Sequence, residues 1–490
     1  MPADPGFEPA LRSLGEPALD WVAARLDEIA ELAGGERQAL LTGATASIIG
    51  AIGGRVSRLL MLELNAAGIA DGPGQHADNW TEFIERSSKL AYWTALEEHY
   101  PTLLRRVAAL VSGRAAAAVE LGRRFAGDRE QLGLLVGEPE PELVEVRIDE
   151  SESHSGGRSV ATLTLRQRRV VYQPRPLAVE AALRTFLDRL FGERPDPDRI
   201  RVPAVLAAGR YGWSEIPPRA PCRTPVELRG YYVRVGHWLA LARLFGTPGR
   251  LTDDLLGCGP TPVLVDCATL FSPVSANSPL TPAGHPSPVS AASDAPAADR
   301  QPADLSARRA RLAQQPAADD LAGPPFDEPP ELELAGHWPQ VLSGFEELTD
   351  RLRALDRAGR LADALAGFGD VEIRAVLRGA EVYAEVEQLL WHPTSLRDET
   401  AAIERACQLL ADHGAAHPPA PDDLAVVAAE VADLLEGDTP YFRTEAGNGR
   451  LRGPRNTSWG EPGDLVAEAL HRWRTADPIA ERALLWPYSV

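Results

Sequence analysis

The residues that could do chemistry in this sequence are few and differently placed. Gly156-Gly157 lies in a polar loop between two runs of alternating character, the kind of loop whose backbone can cover phosphates. Asp266 follows the apolar run 263–265 beyond a Gly259-Pro260 turn, so a carboxylate ends that hairpin, where Mg²⁺ can be held. Among 50 basic residues only Lys89 is a lysine, so a step that needs one has a single candidate. Cys222, Cys258, Cys267 and Cys407 form no C-x-x-C pair and the histidines lack zinc spacing. Neither a disulfide framework nor a zinc site is expected, and the set fits a reducing cytoplasm. Gly50-x-x-Gly53-Gly54 has no strand before it, so it predicts close helix packing and not a nucleotide loop.

The elements that must position these residues change character along the chain. Residues 1–135 read as a helical region: Trp21, Leu26, Ile29 and Leu32 recur at helical spacing, with Gly34-Gly35 as a stop. A second helix runs over 100–132, with Pro101 near its start. Residues 136–271 form a core with strands at 144–148, 160–165 and 170–173, a turn at Arg166-Gln167-Arg168, and an amphipathic helix carrying Leu183, Phe186, Leu187, Leu190 and Phe191. Strand, glycine loop, strand, hairpin, strand and helix is the layout of a kinase small lobe. Antiparallel sheets with a glycine loop are also common without that function, and both readings stay open here. Residues 272–331, rich in Pro, Ser and Ala, read as a flexible insertion. Residues 332–490 read as helical again, including 371–390 and 423–435. The fold class expected is α+β.

The chain of 490 residues, 44% hydrophobic and 24% charged, has the composition of an ordinary globular protein with room for a large core. Its net charge of −20 argues against a nucleic-acid backbone as partner. The acidic, proline-bearing start is not a secretory signal. The apolar stretch 40–64 is interrupted by Arg55 and Arg58 and reads as a buried helical hairpin in place of a membrane span.

The literal residues carry more. Ser153-His154-Ser155-Gly156-Gly157-Arg158, Tyr172-Gln173-Pro174-Arg175, Tyr211-Gly212-Trp213-x-Glu215 and Tyr231-Tyr232-x-Arg234-x-Gly236 follow one another in order. So do Pro262-Val263-Leu264-Val265-Asp266-Cys267-Ala268-Thr269-Leu270-Phe271, Gly344-Phe345, Arg374-x-x-x-Arg378, Tyr383, His392-Pro393 and Gly437-Asp438-Thr439-Pro440-Tyr441-Phe442. With Tyr100-Pro101-x-Leu103-x-Arg105 at the front, this set resembles the dehydratase domain of LanM-type (class II) lanthipeptide synthetases over roughly residues 80–271 and 335–445.

That resemblance implies a lipid-kinase-like, two-lobed core and two reactions at one site. Ser and Thr of a ribosomal precursor peptide are phosphorylated with ATP and Mg²⁺, and the phosphate is then eliminated. Elimination needs a base for the α-proton and cations for the leaving phosphate. The resemblance assigns Glu152, His154 and Arg374 to elimination, Gln173, Arg175 and Arg378 to the nucleotide or phosphate, and Asp254 and Asp266 to metal.

The sequence departs from the family where phosphorylation is carried. The phosphate-binding lysine is Gln173, which is uncharged, so Arg175 is the nearest cation. The Asp-x-His-x-x-Asn motif falls on Gly249, Leu251 and Asp254, and the acidic residue two beyond Asp266 is Ala268. On the elimination side the Asp-x-His pair becomes Glu152-x-His154, Arg374 is kept, and the threonine six positions on is Ala380. A reading of His154 as a loop histidine and of Arg374 as a salt-bridging helix residue stays open beside this one.

Three functions follow: a degenerate dehydratase that binds the precursor's leader and core or a partner enzyme, an elimination-only lyase, or a full kinase–lyase. The chain ends at Val490 without the family's zinc-bearing cyclase, so ring closure is expected from a separate cyclase or an intact synthetase.

Overall fold

A computed structural model of the chain describes residues 5–71, 76–150, 152–192, 199–246, 254–272, 334–447 and 449–477. It is a mixed helical and antiparallel-sheet structure, as the α+β expectation requires. The segment read as a flexible insertion lies outside the described residues beyond Ser272, as do Gly249 and Leu251.

The N-terminal part is helical: α1 (Glu8–Asp27), α2 (Gly34–Asp71), α3 (His76–Ser87), α4 (Leu90–Leu96) and α5 (Leu103–Val136). Two expectations are corrected here. The apolar stretch 40–64 is not a hairpin but the middle of one 38-residue helix that runs through Gly50, Gly53 and Gly54 and holds no proline. By length and composition Gly34–Ala67 could cross a bilayer, yet 67% of its most apolar window is buried inside the protein. Gly34-Gly35 begins α2 and does not stop α1, which ends at Asp27 with Ile29 and Leu32 still buried in the connection. Gly50 sits against the Glu150 side chain at the sheet edge, whereas a Cβ on Gly54 would meet nothing within 4 Å.

The strands β1 (Leu143–Ile148), β2 (Ala161–Leu165), β3 (Arg169–Gln173), β4 (Val205–Ala207) and β5 (Gly212–Glu215) make a five-stranded antiparallel sheet in the order β1-β2-β3-β5-β4. A register shift between Leu143 and Glu145 leaves Val144 exposed, so Leu143 and Val146 and not Val144 point inward. One face, with Leu163, Val170, Tyr172 and Trp213, packs on α1, α2 and α5. Asp128 of α5 accepts hydrogen bonds from Trp213 Nε1 (2.7 Å) and Tyr211 Oη (2.8 Å), which gives the Tyr211-Gly212-Trp213 run its structural role.

A second core gathers around α6 (Ala178–Phe191) and α7 (Pro225–Phe245). It includes the hairpin β6 (Leu255–Cys258) and β7 (Thr261–Leu264), α8 (Leu334–Arg357) and α9 (Arg360–Leu365). Helices α7 and α8 cross at contact distance: a Cβ on Gly236 would lie 2.0 Å from the Val341 carbonyl, and one on Gly344 1.9 Å from that of Val233. Only glycine fits at that crossing.

The region beyond residue 334 divides between the two cores. Helices α10 (Ala380–Leu390), α11 (Pro393–Arg397), α12 (Glu399–Ala416) and α13 (Leu424–Leu435) join the N-terminal core, where Arg105 and Arg106 pair with Glu399. Helix α14 (Leu465–Thr475) joins the second. Between them lies a four-stranded antiparallel sheet, β11 (Ser458–Gly463), β10 (Gly449–Arg452), β9 (Phe442–Glu445) and β8 (Glu372–Ala375), in that order. The helical reading of 371–390 is therefore corrected: its first part is strand β8, and the helix begins at Ala380.

Candidate functional site

The loop between β1 and β2 carries Glu152 and His154 and folds back on α5. Ser155, Gly156 and Gly157 adopt positive φ in succession (51°, 92° and 78°). A Cβ on Gly157 would lie 2.3 Å from the Gly113 carbonyl carbon of α5. Successive left-handed residues turn their N–H groups into a concave anion nest. Here the carboxylate of Asp438 fills it, accepting from the N–H of Gly156 and from that of Gly157 (3.0 and 3.1 Å). The loop's donors thus serve a side chain of this protein.

His154 is held from both sides. Its Nδ1 lies 2.6 Å from the Thr439 carbonyl oxygen; a carbonyl can only accept, so this nitrogen carries the proton. Nε2 sits 3.3 Å from Glu152 Oε1, within ion-pairing reach but not aligned for a hydrogen bond. Arg374 Nη2 approaches the same oxygen at 3.7 Å. Tyr441 covers both, its ring centroid 5.3 Å from that of His154 and 5.5 Å from the Arg374 guanidinium carbon. Burial raises the Tyr441 phenol's pKa against the pull of Arg175 and Arg374. Glu152, His154 and Arg374, far apart in sequence, are brought together.

Tyr441 also connects this group to a second one. Arg175 Nη2 bonds to Glu180 Oε1 (2.6 Å) and Asp266 Oδ1 (3.1 Å), and Nη1 reaches the Pro176 carbonyl (3.0 Å) and Glu180 Oε2 (3.3 Å). Burial opposes the guanidinium's charge, but Glu180 and Asp266 more than offset it and raise its pKa. Asp266 Oδ1 further accepts from the Ala268 N–H at 2.9 Å, and the Arg374 N–H of β8 donates to the Ala268 carbonyl at 2.8 Å. The segment after Asp266 is therefore stitched to the strand that carries Arg374.

Asp254 lies at the same end of the β6–β7 hairpin, its carbonyl accepting from Val265 N–H at 3.0 Å. Two carboxylates there would suit a Mg²⁺ ion held chiefly by substrate phosphates. The Arg175 guanidinium, however, occupies the Asp266 oxygen such an ion would take. No group of three or more His, Cys, Asp or Glu side chains gathers for a metal among the described residues. In this arrangement Arg175 competes with an ion for Asp266.

Gln173 ends β3 with 1% of its surface exposed, and neither its Nε2 nor its Oε1 has a hydrogen-bond partner. Thr162, opposite Val171 in the register, has an unpartnered Oγ1 on the same sheet face. Arg378 lies elsewhere: its guanidinium is bound by buried Glu430 (2.9 and 3.0 Å) and by the Leu410 and Pro421 carbonyls. Tyr383 donates its hydroxyl to the same Glu430 at 2.7 Å. Arg378 and Tyr383 are parts of the α10–α13 packing and have no contact with Arg175 or His154.

Reading the sequence alone gave no role to Asp438, Thr439, Tyr441, Ser153 or Glu180. The first three stand in the run Gly437–Phe442 already noted as a motif, which was the available signal.

Comparison with known proteins bears on this arrangement. The family described as "Domain of unknown function (DUF4135)" matches residues 100–311 and 306–445, more than half of the chain. The lacticin 481/lactococcin biosynthesis protein LcnDR2 of Lactococcus lactis subsp. lactis is similar at 23% identity over 123 residues. That stretch is 24% of this chain and 13% of the relative, so the chain spans a small part of that protein's length. The family match takes in the β1–β2 loop, the β6–β7 hairpin, β8 and the Asp438–Tyr441 segment together, and the chain belongs to the DUF4135 family.

Proposed function

We propose that this protein works in lanthipeptide biosynthesis by eliminating phosphate from phosphorylated Ser or Thr of a ribosomal precursor peptide, with phosphorylation itself impaired. The observation that carries this reading is His154 fixed through Nδ1 to Thr439, with Nε2 beside Glu152 and Arg374 next to both. The resemblance to LanM-type dehydratases and the likeness to a lacticin 481/lactococcin biosynthesis protein support it. A lipid-kinase-like, two-lobed arrangement is part of the reading, supported by the five-stranded antiparallel sheet followed by α6 and by the two cores.

With Nδ1 committed as a donor, the Nε2 lone pair and the Glu152 carboxylate face each other and can together take one proton. In this reading that proton is the α-proton of the phosphorylated residue. The C–H electrons form the Cα=Cβ bond, the Cβ–O bond breaks, and its electron pair leaves with the phosphate. Arg374 meets the charge of the departing group. Tyr441 limits rotation of both side chains.

The phosphorylation side lacks equivalent groups. Gln173 brings no charge, and Arg175 is spent on Glu180 and Asp266. The proposed elimination step draws only on Glu152, His154 and Arg374.

The experiment is to give the protein a synthetic precursor peptide carrying phosphoserine, without ATP, alongside His154→Ala and Arg374→Ala. Loss of the base or of the cation is expected to lower elimination by roughly 10²–10⁴-fold. Equal rates in all three proteins would remove these residues from the reaction.

A further inference from the structure

The imidazole of His154 is held by a carbonyl from a segment 285 residues further along the chain, and something must hold that carbonyl in turn. The contacts converge on Asp438. Its carboxylate fills the nest formed by the Gly156 and Gly157 N–H groups, on one side of His154. On the other side it accepts from Ser153 Oγ at 2.7 Å. The Thr439 N–H donates to the Ser153 carbonyl at 2.7 Å, so the Thr439 backbone is registered on the same loop. A third layer supports these bonds. Arg114, buried in α5, reaches Ser153 Oγ at 3.3 Å, and Arg55 of α2 donates to the Gly437 carbonyl at 2.9 Å. Asp438 itself is 4% exposed and touches neither His154 nor Glu152 in any contact described above.

We infer that Asp438 is a positioning residue of the site: by seating the 153–157 loop on the 437–439 segment it places the Thr439 carbonyl and thereby fixes His154 with its proton on Nδ1. The inference rests on the elimination reading for its consequence in catalysis, but its structural content does not depend on that reading. An asparagine at 438 would keep the size of the side chain and, whichever way the amide turns, set an NH₂ group against the Gly157 N–H, which now donates to both carboxylate oxygens. Donor would then face donor, and the nest would lose half of its acceptor. Loop and carbonyl would drift apart, and a displacement near 1 Å at a catalytic group costs up to about 10²-fold in rate.

The test uses the full chain with ¹⁵N-labelled histidine, its His154 signals assigned by their loss in His154→Ala. Wild-type protein is expected to show Nδ1 protonated. Asp438→Asn should lose that signature and, with phosphopeptide, lower kcat by about ten- to a hundredfold with KM little changed. Ser153→Ala, which deletes one bond to Asp438 and leaves the nest, should shift the same signals less. If Asp438→Asn does not fold, Ser153→Ala decides alone. A His154 spectrum unchanged in a folded variant overturns the inference. Shifted His154 signals in a protein that eliminates nothing would uphold the positioning and refute the elimination reading, so the two failures are separate.

Discussion

Arg175 Nη2 lies 3.1 Å from Asp266 Oδ1, and the same guanidinium is clamped by Glu180. Arg175 and Asp266, a cation and a carboxylate both expected to serve phosphorylation, thus neutralise each other. The residues proposed for elimination face a different partner set: Glu152, His154 and Arg374 meet around Tyr441, which also feels Arg175. The two halves of the candidate site are neighbours with opposite degrees of commitment.

The Arg175 cluster should be structural in its energetics. Arg175→Met leaves the Glu180 carboxylate, 2% exposed, without its partner. We expect a loss of roughly 3–5 kcal/mol in urea unfolding, partly recovered when Glu180→Gln is added. A cost near zero would mean that Arg175 is available for ligands.

Gln173 should behave in the opposite sense. Both polar atoms of its amide are buried without partners, a desolvation cost of about 1–3 kcal/mol. Gln173→Leu is expected to raise the stability of the protein without ligand by about that amount in the same unfolding assay. Destabilisation would show that the amide is satisfied in solution.

Asp433 gives a pH dependence. Burial, opposed by Arg455 and reinforced by Asp438, raises its carboxyl from 3.8 to about 6. The folded state therefore binds the proton more tightly, and this residue's contribution to stability falls as pH rises from about 4 to 6. Asp433→Asn should leave stability at the acid end of that window nearly unchanged and raise it at pH above about 6 by at most about 3 kcal/mol. A variant equally stabilised at both ends would contradict the assignment.

Gly157 should tolerate no side chain. Its φ of +78° and the 2.3 Å approach of a Cβ to Gly113 act together. Gly157→Ala is expected to cost more than the roughly 1 kcal/mol of an ordinary left-handed position. Thermal unfolding reads this directly, and a change under that size would mean that the loop does not rest on α5.

Local patterns account for what the sequence made legible. Strands β1 to β3, helix α6 and the β6–β7 hairpin follow from alternation or helical spacing within a few residues, and they appear where expected. The sheet β8–β11 was missed because its first three strands are four residues long and carry Glu372, Arg374, Arg443, Arg450 and Arg452, which leave little apolar alternation. Gly156-Gly157 was legible as a special loop but not as to its occupant. What fills the nest is Asp438, 281 residues from Gly157 in the chain, and no spacing rule connects positions so far apart. The motif residues Tyr211, Trp213, Gly236, Gly344, Arg378 and Tyr383 sit at packing and pairing positions.

The central claim is that elimination survives where phosphorylation does not. Its most direct measurement compares two peptides of one precursor sequence by mass: a phosphoserine form without ATP, and an unmodified form with ATP and Mg²⁺. The account predicts dehydro residues from the first and an unchanged mass from the second. Phosphate adducts or dehydration of the unmodified peptide, or an inert phosphopeptide, would contradict it.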